Sequence, residues 1–296
     1  MTWARIAPEF NKATCTAGRL ERDFLRDTLN SNKIAFIGAG NMANSLIRGL
    51  LAKGVPAANI AACDIDTGKL AELRAECGIR TGSMSEIAAD ADVLLLAVKP
   101  QVMGQVCETL RPLLQMGTLV ISIAAGIPLK SMEQWLGNAQ AIVRCMPNTP
   151  ALVLEGATGL FANTNTSPAQ RALAEAILSA VGISRWLGSE HDINAVTALS
   201  GSGPAYFFLL MEAMQEAGVA LGLEPELARA LTIQTALGAA KLAASSDVGP
   251  DELRRRVTSP NGTTQAALEQ FEREDFRGLV ERALSAAQKR SVELAG

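Results

Sequence analysis

Lys33–Leu46 reads KIAFIGAGNMANSL. An apolar run of strand length ends at Gly38, and a helical pattern begins at Asn41. Between them stand Gly38, Ala39 and Gly40, with Ala43 at the third small position. This is the G-x-G-x-x-A form of the dinucleotide fingerprint. The glycines let the backbone approach a pyrophosphate. The helix that follows supplies unpaired N–H groups and the positive end of its dipole. Gly38, Ala39, Gly40, Asn41 and Met42 are therefore candidate cofactor-binding residues. The bland alternative is a tight turn, and the position of the motif after a first strand argues against it.

Outward from this turn the pattern alternates. A helix is expected from Asn41 to Lys53, a strand in NIAACD (Asn59–Asp64) and a helix from Lys69 to Cys77. DVLLLAV (Asp92–Val98), TLVISIAA (Thr118–Ala125) and AIVRCM (Ala141–Met146) are further apolar strands with helices between them. Continuous apolar strands separated by helices imply a parallel sheet covered on both faces. The alternation stops near Leu187, and from there only Ala-rich helical patterns are visible. The expected fold is α/β: an N-terminal Rossmann-type doubly wound parallel sheet over residues 33–188, followed by an all-α dimerisation domain over residues 189–296. Residues 1–32 are expected to be an extension without fixed structure. Helices that are apolar on several faces need covering, and a dimer interface is the economical cover.

The totals narrow the function. The 296 residues are 48% hydrophobic with a net charge of -3, a pI near 5.4 and a mean hydropathy of +0.17. An acidic chain is a poor match for nucleic acid. No apolar run approaches membrane-spanning length, so no membrane is expected. Five cysteines, at 15, 63, 77, 107 and 145, include no CxxC pair. They read as reduced thiols of a cytoplasmic protein. The single histidine, His191, reads as a surface or capping residue. No metal site is expected. Arg254-Arg255-Arg256 reads as a solvated helix face.

Several strand ends carry candidate chemistry. Asp64 closes the second strand, where an acidic residue accepts from the adenosine ribose hydroxyls; Asp66 reads as a helix cap. Ala97-Val98-Lys99-Pro100 ends a central strand on the edge where such sheets bind ligands, although a strand stopped by proline would look the same. SIAAGIP (Ser122–Pro128) and RCMPNTPA (Arg144–Ala151) end the next two strands, and together these turns outline a cleft. In LSGSGPAYFF (Leu199–Phe208), Ser202-Gly203 reads as a cap and Pro204 as a first-turn residue. Ser259-Pro260-Asn261-Gly262-Thr263-Thr264 turns the chain into a helix whose mouth suits a carboxylate. Taken alone it reads better as an ordinary threonine cap.

FIGAGNMA, AVKP, SIAAGIP, RCMPNTPA, AVTALSGSGPAYFF and RRRVTSPNGTTQAAL, in this order and spacing, resemble the pyrroline-5-carboxylate reductases. The resemblance runs from Lys33 to Leu294. It implies reduction of L-1-pyrroline-5-carboxylate to L-proline with NADP(H) and/or NAD(H), and a helical domain that joins two subunits, often within larger homo-oligomers. It also implies that the substrate carboxylate is held by the turn Ser259–Thr264 of a second subunit. By that match Ser259, Gly262, Thr263 and Thr264 bind substrate, the Thr264 hydroxyl faces the ring nitrogen as the catalytic contact, and Asp247 lies near the substrate. Met84 stands where relatives often carry an asparagine that touches the cofactor ribose. Asp64 repels a 2′-phosphate, with Lys69 and Arg80 as cations that would offset it. Two rivals remain. A β-hydroxyacid dehydrogenase would need a lysine in the helical half, where Lys241 lies in no matching motif. A nucleotide sensor would have no use for the polar 259–264 turn.

Overall fold

The computed structural model describes residues 28–295. Most of the expected N-terminal extension, residues 1–27 with Cys15, lies outside the described residues. The described chain divides into two compact units, residues 28–201 with 291–295, and Ser202–Arg290. The dinucleotide motif lies in the first and the 259–264 turn in the second.

The first unit runs β1 (Ile34–Ile37), α1 (Asn41–Ala52), β2 (Ile60–Cys63), α2 (Thr67–Cys77), β3 (Arg80–Thr81), α3 (Met84–Ala88), β4 (Val93–Leu96), α4 (Met103–Leu110), β5 (Leu119–Ser122), α5 (Leu129–Leu136), β6 (Ala141–Met146), β7 (Gly156–Ala162), α6 (Pro168–Leu178), β8 (Gly182–Trp186) and α7 (Asp192–Val196). All eight strands join one sheet in the order β3-β2-β1-β4-β5-β6-β7-β8. The order turns back between β1 and β4, the switch point at which dinucleotides bind. β1, β2, β4 and β5 are buried at every residue. Alternate side chains explain this. Phe36, Leu95, Ile121 and Val143 join one core with α1 and α6. Ile37, Leu94, Val120 and Ile142 join a second with α4 and α5.

Two expectations about the sheet need correction. β3, β7 and β8 have no counterpart in the sequence reading: β3 is two residues long, and two glycines thin out the apolar pattern of β7. The sheet is also mixed, since β7 runs antiparallel to β6. Residues 147–155 between them are fewer than the dozen or so that a parallel crossover needs.

At the N-terminal side, residues 28–31 are helical. Leu29 is 6% exposed and belongs to the first core, and the Asn59 side chain donates to the Asn30 carbonyl at 2.6 Å. The end of the expected extension is therefore packed on the sheet unit.

α7 continues through a π-helical turn, Thr197–Gly201, into α8 (Gly203–Ala220). Ser202 precedes α8 but its side chain makes no capping bond. The combined run Asp192–Ala220 is long and apolar enough to cross a membrane by length and composition. This corrects the expectation that no run reaches that length; Gly201-Ser202-Gly203-Pro204 had split it into two shorter patterns.

The second unit continues with α9 (Pro225–Ala244), α10 (Pro250–Arg256), α11 (Thr263–Arg273) and α12 (Phe276–Ala295), the last passing into the first unit at residue 291. Within it only Gly203, Ala228 and Thr232 are buried. Phe207, Phe208 and Leu209 on α8 are each about two-thirds exposed. A unit with so little core of its own relies on a covering surface.

Leu29→Ala is expected to lower unfolding free energy by about 2–4 kcal/mol, the usual result of emptying a buried leucine site. Urea denaturation followed by circular dichroism measures it. A change below about 0.5 kcal/mol, the scale of surface substitutions, would mean that residues 28–31 do not pack as described.

Candidate active site

The turn after β1 is shaped by Gly38. Its φ is +103°, a conformation available mainly to glycine, and a Cβ there would lie 2.6 Å from the Ala97 carbonyl oxygen beyond β4. Its N–H donates to the Cys63 carbonyl at the end of β2, at 2.8 Å, while the Ala97 N–H donates to Ile37 at 2.8 Å. Three strand ends are thus held together at the switch point. Gly40 is the residue before α1, no side chain caps that helix, and a Cβ on Gly40 would meet nothing within 4 Å. The open space over an uncapped helix mouth fits a pyrophosphate. Asn41 stands exposed there, while Ala39 and Met42 pack toward the first core.

Asp64 makes contacts that the sequence did not reveal. Its Oδ2 accepts the Ala39 N–H at 2.6 Å and its Oδ1 accepts the Asp66 N–H at 2.9 Å. The carboxylate braces the glycine turn, and each oxygen keeps lone-pair capacity for a ribose hydroxyl. Asp66 caps α2 as expected, accepting from the Gly68 and Lys69 N–H groups. Beside Asp64 opens a groove of about 750 Å³ lined by Thr67, Leu70, Arg74, Thr81 and Gly82. The cations named from sequence are engaged: Lys69 pairs with Asp66 at 3.3 Å and Arg80 with Asp90 at 3.1 Å. Arg74, missed in the sequence, lines the groove without an ion pair among the described residues. Its signal was its spacing: Thr67, Leu70 and Arg74 share one face of α2.

Met84 is the first residue of α3, behind a capping box in which Ser83 accepts from the Glu86 N–H and Glu86 from the Ser83 N–H. Its side chain packs against the second core and brings no strong hydrogen-bonding group to a ribose. Ala97 and Val98 are half-buried beside Gly38, and Lys99 and Pro100 are exposed. Cysteine chemistry is disfavoured. Burial pushes the Cys63 thiol up to about 11 and the Cys107 thiol to about 12, and burial also raises Cys145. All three are protonated thiols at neutral pH. His191 is exposed at the start of α7 and makes no capping bond.

In the second unit, the Gly262 N–H donates to the Ser259 carbonyl at 3.0 Å, and Asn261 turns the chain at φ 58°. The Asn261 N–H donates to Gln265 Oε1 at 2.8 Å. α11 then starts at Thr263, and no side chain caps it. The ordinary threonine cap is therefore not what this turn forms. Ser259, Thr263 and Thr264 are exposed, and neither threonine hydroxyl has a partner among the described residues. The turn brings Ser259, Gly262, Thr263 and Thr264 together. Asp247 is exposed in the loop between α9 and α10, with no hydrogen bond to that turn. The Arg254–Arg256 run is a solvated face: Arg254 pairs with Glu272 at 3.5 Å, and Arg255 and Arg256 pair with Glu252.

A dinucleotide cradle at the switch point of a doubly wound sheet, joined to a helical unit with an open helix mouth, defines a two-domain nicotinamide-dependent oxidoreductase. The family model for pyrroline-5-carboxylate reductase dimerisation matches residues 190–294, and that for NADP oxidoreductase coenzyme F420-dependent matches residues 33–126. A pyrroline-5-carboxylate reductase of Pseudomonas aeruginosa is 58% identical over 268 residues, 90% of this chain and 98% of that protein. The structure of the pyrroline-5-carboxylate reductase of Coxiella burnetii superposes with a TM-score of 0.88 at 46% identity, covering 90% of this chain and 100% of that one. The pyrroline carboxylate reductase of Plasmodium falciparum, solved with NADP bound, gives a TM-score of 0.80 at 30% identity, covering 90% of this chain and 99% of that one. The chain belongs to the pyrroline-5-carboxylate reductase family.

Asp64→Ser is expected to raise KM for both cofactors, since the brace on Ala39 is lost, and to move the NADPH/NADH ratio of kcat/KM about tenfold toward NADPH. Arg74→Ala should move the ratio the other way by roughly fivefold, the lower end of a 1–2 kcal/mol charge interaction. Steady-state kinetics with both cofactors at one ionic strength reads both effects. A ratio unmoved in both variants would place the adenosine ribose elsewhere.

Proposed function

We propose that this protein reduces L-1-pyrroline-5-carboxylate to L-proline, with NAD(P)H seated on the Gly38–Asn41 cradle and the substrate carboxylate at the N-terminus of α11. Family membership makes it an NAD(P)-dependent oxidoreductase acting on a cyclic imine. The observation that carries the substrate assignment is the uncapped mouth of α11, where, among the described residues, Thr263 and Thr264 present free N–H groups and unpaired hydroxyls. Such a mouth suits a carboxylate.

NAD(P)H, when bound, supplies the hydride. Gly38, Ala39 and Gly40 hold the pyrophosphate, Asp64 the adenosine ribose, and Ala97–Pro100 the edge of the cleft beyond β4. Met84 contributes packing to the ribose side. Thr263 and Thr264 hold the substrate carboxylate through backbone N–H groups, with Ser259 and Gly262 forming the turn. The Thr264 hydroxyl hydrogen-bonds the ring nitrogen, and Asp247 borders the substrate. A cyclic imine protonated in solution is already electrophilic. The chain therefore needs no strong acid, in keeping with the protonated thiols and the exposed His191. Its contribution is orientation.

The helical segment from residue 189 acts as the dimerisation domain of a homodimer and follows the sheet domain of residues 33–188, although its stretch up to Gly201 and residues 291–295 pack with the sheet unit. The exposed Phe207, Phe208 and Leu209 of α8 meet a second copy, which accounts for the apolar run Asp192–Ala220 without a membrane. The 259–264 turn serves the cofactor of the second subunit, and larger homo-oligomers are built from this dimer. The place of action is the cytoplasm.

The direct test is oxidation of NAD(P)H on addition of pyrroline-5-carboxylate, with proline formed in equal amount; purified protein with no such activity refutes the assignment. Thr264→Ala should lower kcat by roughly ten- to a hundredfold, the scale of one or two hydrogen bonds. Cofactor binding measured by titration should not change, and an equal loss of cofactor affinity would remove Thr264 from the substrate site. Light scattering at micromolar concentration should give at least a dimer. A fully active monomer would contradict the shared site.

A further inference from the structure

β6 and the turn after it grip the segment from Glu190 to Gly201 in two places. Arg144, with a side chain 5% exposed, donates to Glu190 Oε1 at 2.7 Å, and the same oxygen accepts the Leu129 N–H at 2.7 Å. Asn148, 8% exposed, donates from Nδ2 to the Ser200 carbonyl at 2.9 Å. Its Oδ1 accepts the Ala157 N–H at 2.8 Å.

The second grip answers a defect in the helix. In a regular helix the Ser200 carbonyl would accept from residue 204, four positions on. Residue 204 is proline and has no N–H. The backbone passes here through the π-helical turn Thr197–Gly201, and the next N–H, that of Ala205, is spent on the Ser202 carbonyl at 3.1 Å. The side-chain amide of Asn148 supplies the missing donor. Packing holds the same spot: a Cβ on Gly201 would lie 2.6 Å from Met146 Cε. The π turn is thereby drawn onto the carboxyl end of β6.

That end has a defined place relative to the cofactor. With the switch point between β1 and β4, a dinucleotide whose adenosine ribose met Asp64 on the β2 side would carry its nicotinamide toward the β4–β6 side. Asn148 follows β6 directly after Pro147. π-helical turns in α-helices occur frequently at functional sites.

We propose that Asn148 is a positioning residue for hydride transfer: by giving the Ser200 carbonyl the donor that Pro204 lacks, it fixes Thr197–Gly201 as a wall beside the nicotinamide. It sets the geometry of transfer and leaves cofactor affinity alone. The proposal rests on the reductase reading given above. Misplacement of reacting groups by about 1 Å can cost on the order of a hundredfold in rate.

The test uses full-length Asn148→Asp, which keeps an oxygen for the Ala157 N–H and loses the donor to Ser200. Wild-type turnover of pyrroline-5-carboxylate is measured first, and an inactive wild type would refute the reductase reading itself. With an active wild type, the single-turnover rate of Asn148→Asp should fall roughly ten- to a hundredfold, with the Kd for NAD(P)H unchanged within about twofold. Pro204→Ala added to this variant returns an N–H to position 204 and should recover part of the lost rate at equal cofactor affinity. If Asn148→Asp does not fold, Asn148→Ala, which also lacks the donor to Ser200, is read in the same way, with Pro204→Ala added as before. An unchanged single-turnover rate overturns the proposal, and so does a loss of cofactor affinity in step with the rate.

Discussion

Gly38 pressed against the Ala97 carbonyl is the contact on which the cofactor half depends. It brings the ends of β1 and β4 closer than any side chain allows. Its N–H fixes the end of β2 through Cys63, and the Ala39 N–H beside it ties the Asp64 carboxylate. Three chain segments are placed by one turn. The glycine turn, the Asp64 carboxylate and the end of β4, to which the pyrophosphate, ribose and cleft edge are assigned in the proposal, are therefore set together, and a shift in one is felt by the others. This is the economy of a switch-point site: the strands supply rigidity, and the ligand meets only what projects past their ends.

The second unit follows a different logic. Its helices bury almost nothing of their own, and large apolar side chains stand in solvent along α8 and α9. Such a unit gains its stability from association, so folding, assembly and the placement of the Thr263-Thr264 turn are a single problem. That turn has a left-handed Asn261, a close Ser259–Gly262 bond and an uncapped helix start. An uncapped start costs helix stability unless something else meets the free N–H groups, and a substrate carboxylate is suited to do so.

The sequence carried the central sheet well, because β1, β2, β4 and β5 are buried on both faces and read as unbroken apolar runs. The same physics hid the rest. β7 is thinned by glycines, and β3 is too short to show a period. The run Asp192–Ala220 was split by a proline whose missing N–H is made good from a distant asparagine, a bond that no local pattern reveals. The glycine turn, Asp64 and the 259–264 turn were all visible as candidates from spacing or resemblance. Asp64 as a brace was not, because its partner Ala39 is 25 residues away. Lys69 and Arg80, the cations named to offset a phosphate, are each paired with a carboxylate, Asp66 and Asp90, while Arg74, on the helix of Lys69, lines the groove.

The chemistry proposed is spare: a reducing cofactor held by backbone and a substrate held by backbone and one hydroxyl, with the three buried thiols among the described residues kept protonated. Its central claim is direct hydride transfer to the imine carbon of pyrroline-5-carboxylate. The most direct measurement uses cofactor deuterated at the transferring position of the nicotinamide ring, with mass spectrometry and NMR on the product. The account predicts proline carrying one deuterium at the former imine carbon, on one face only. Proline without deuterium, or cofactor oxidised without proline, would contradict it.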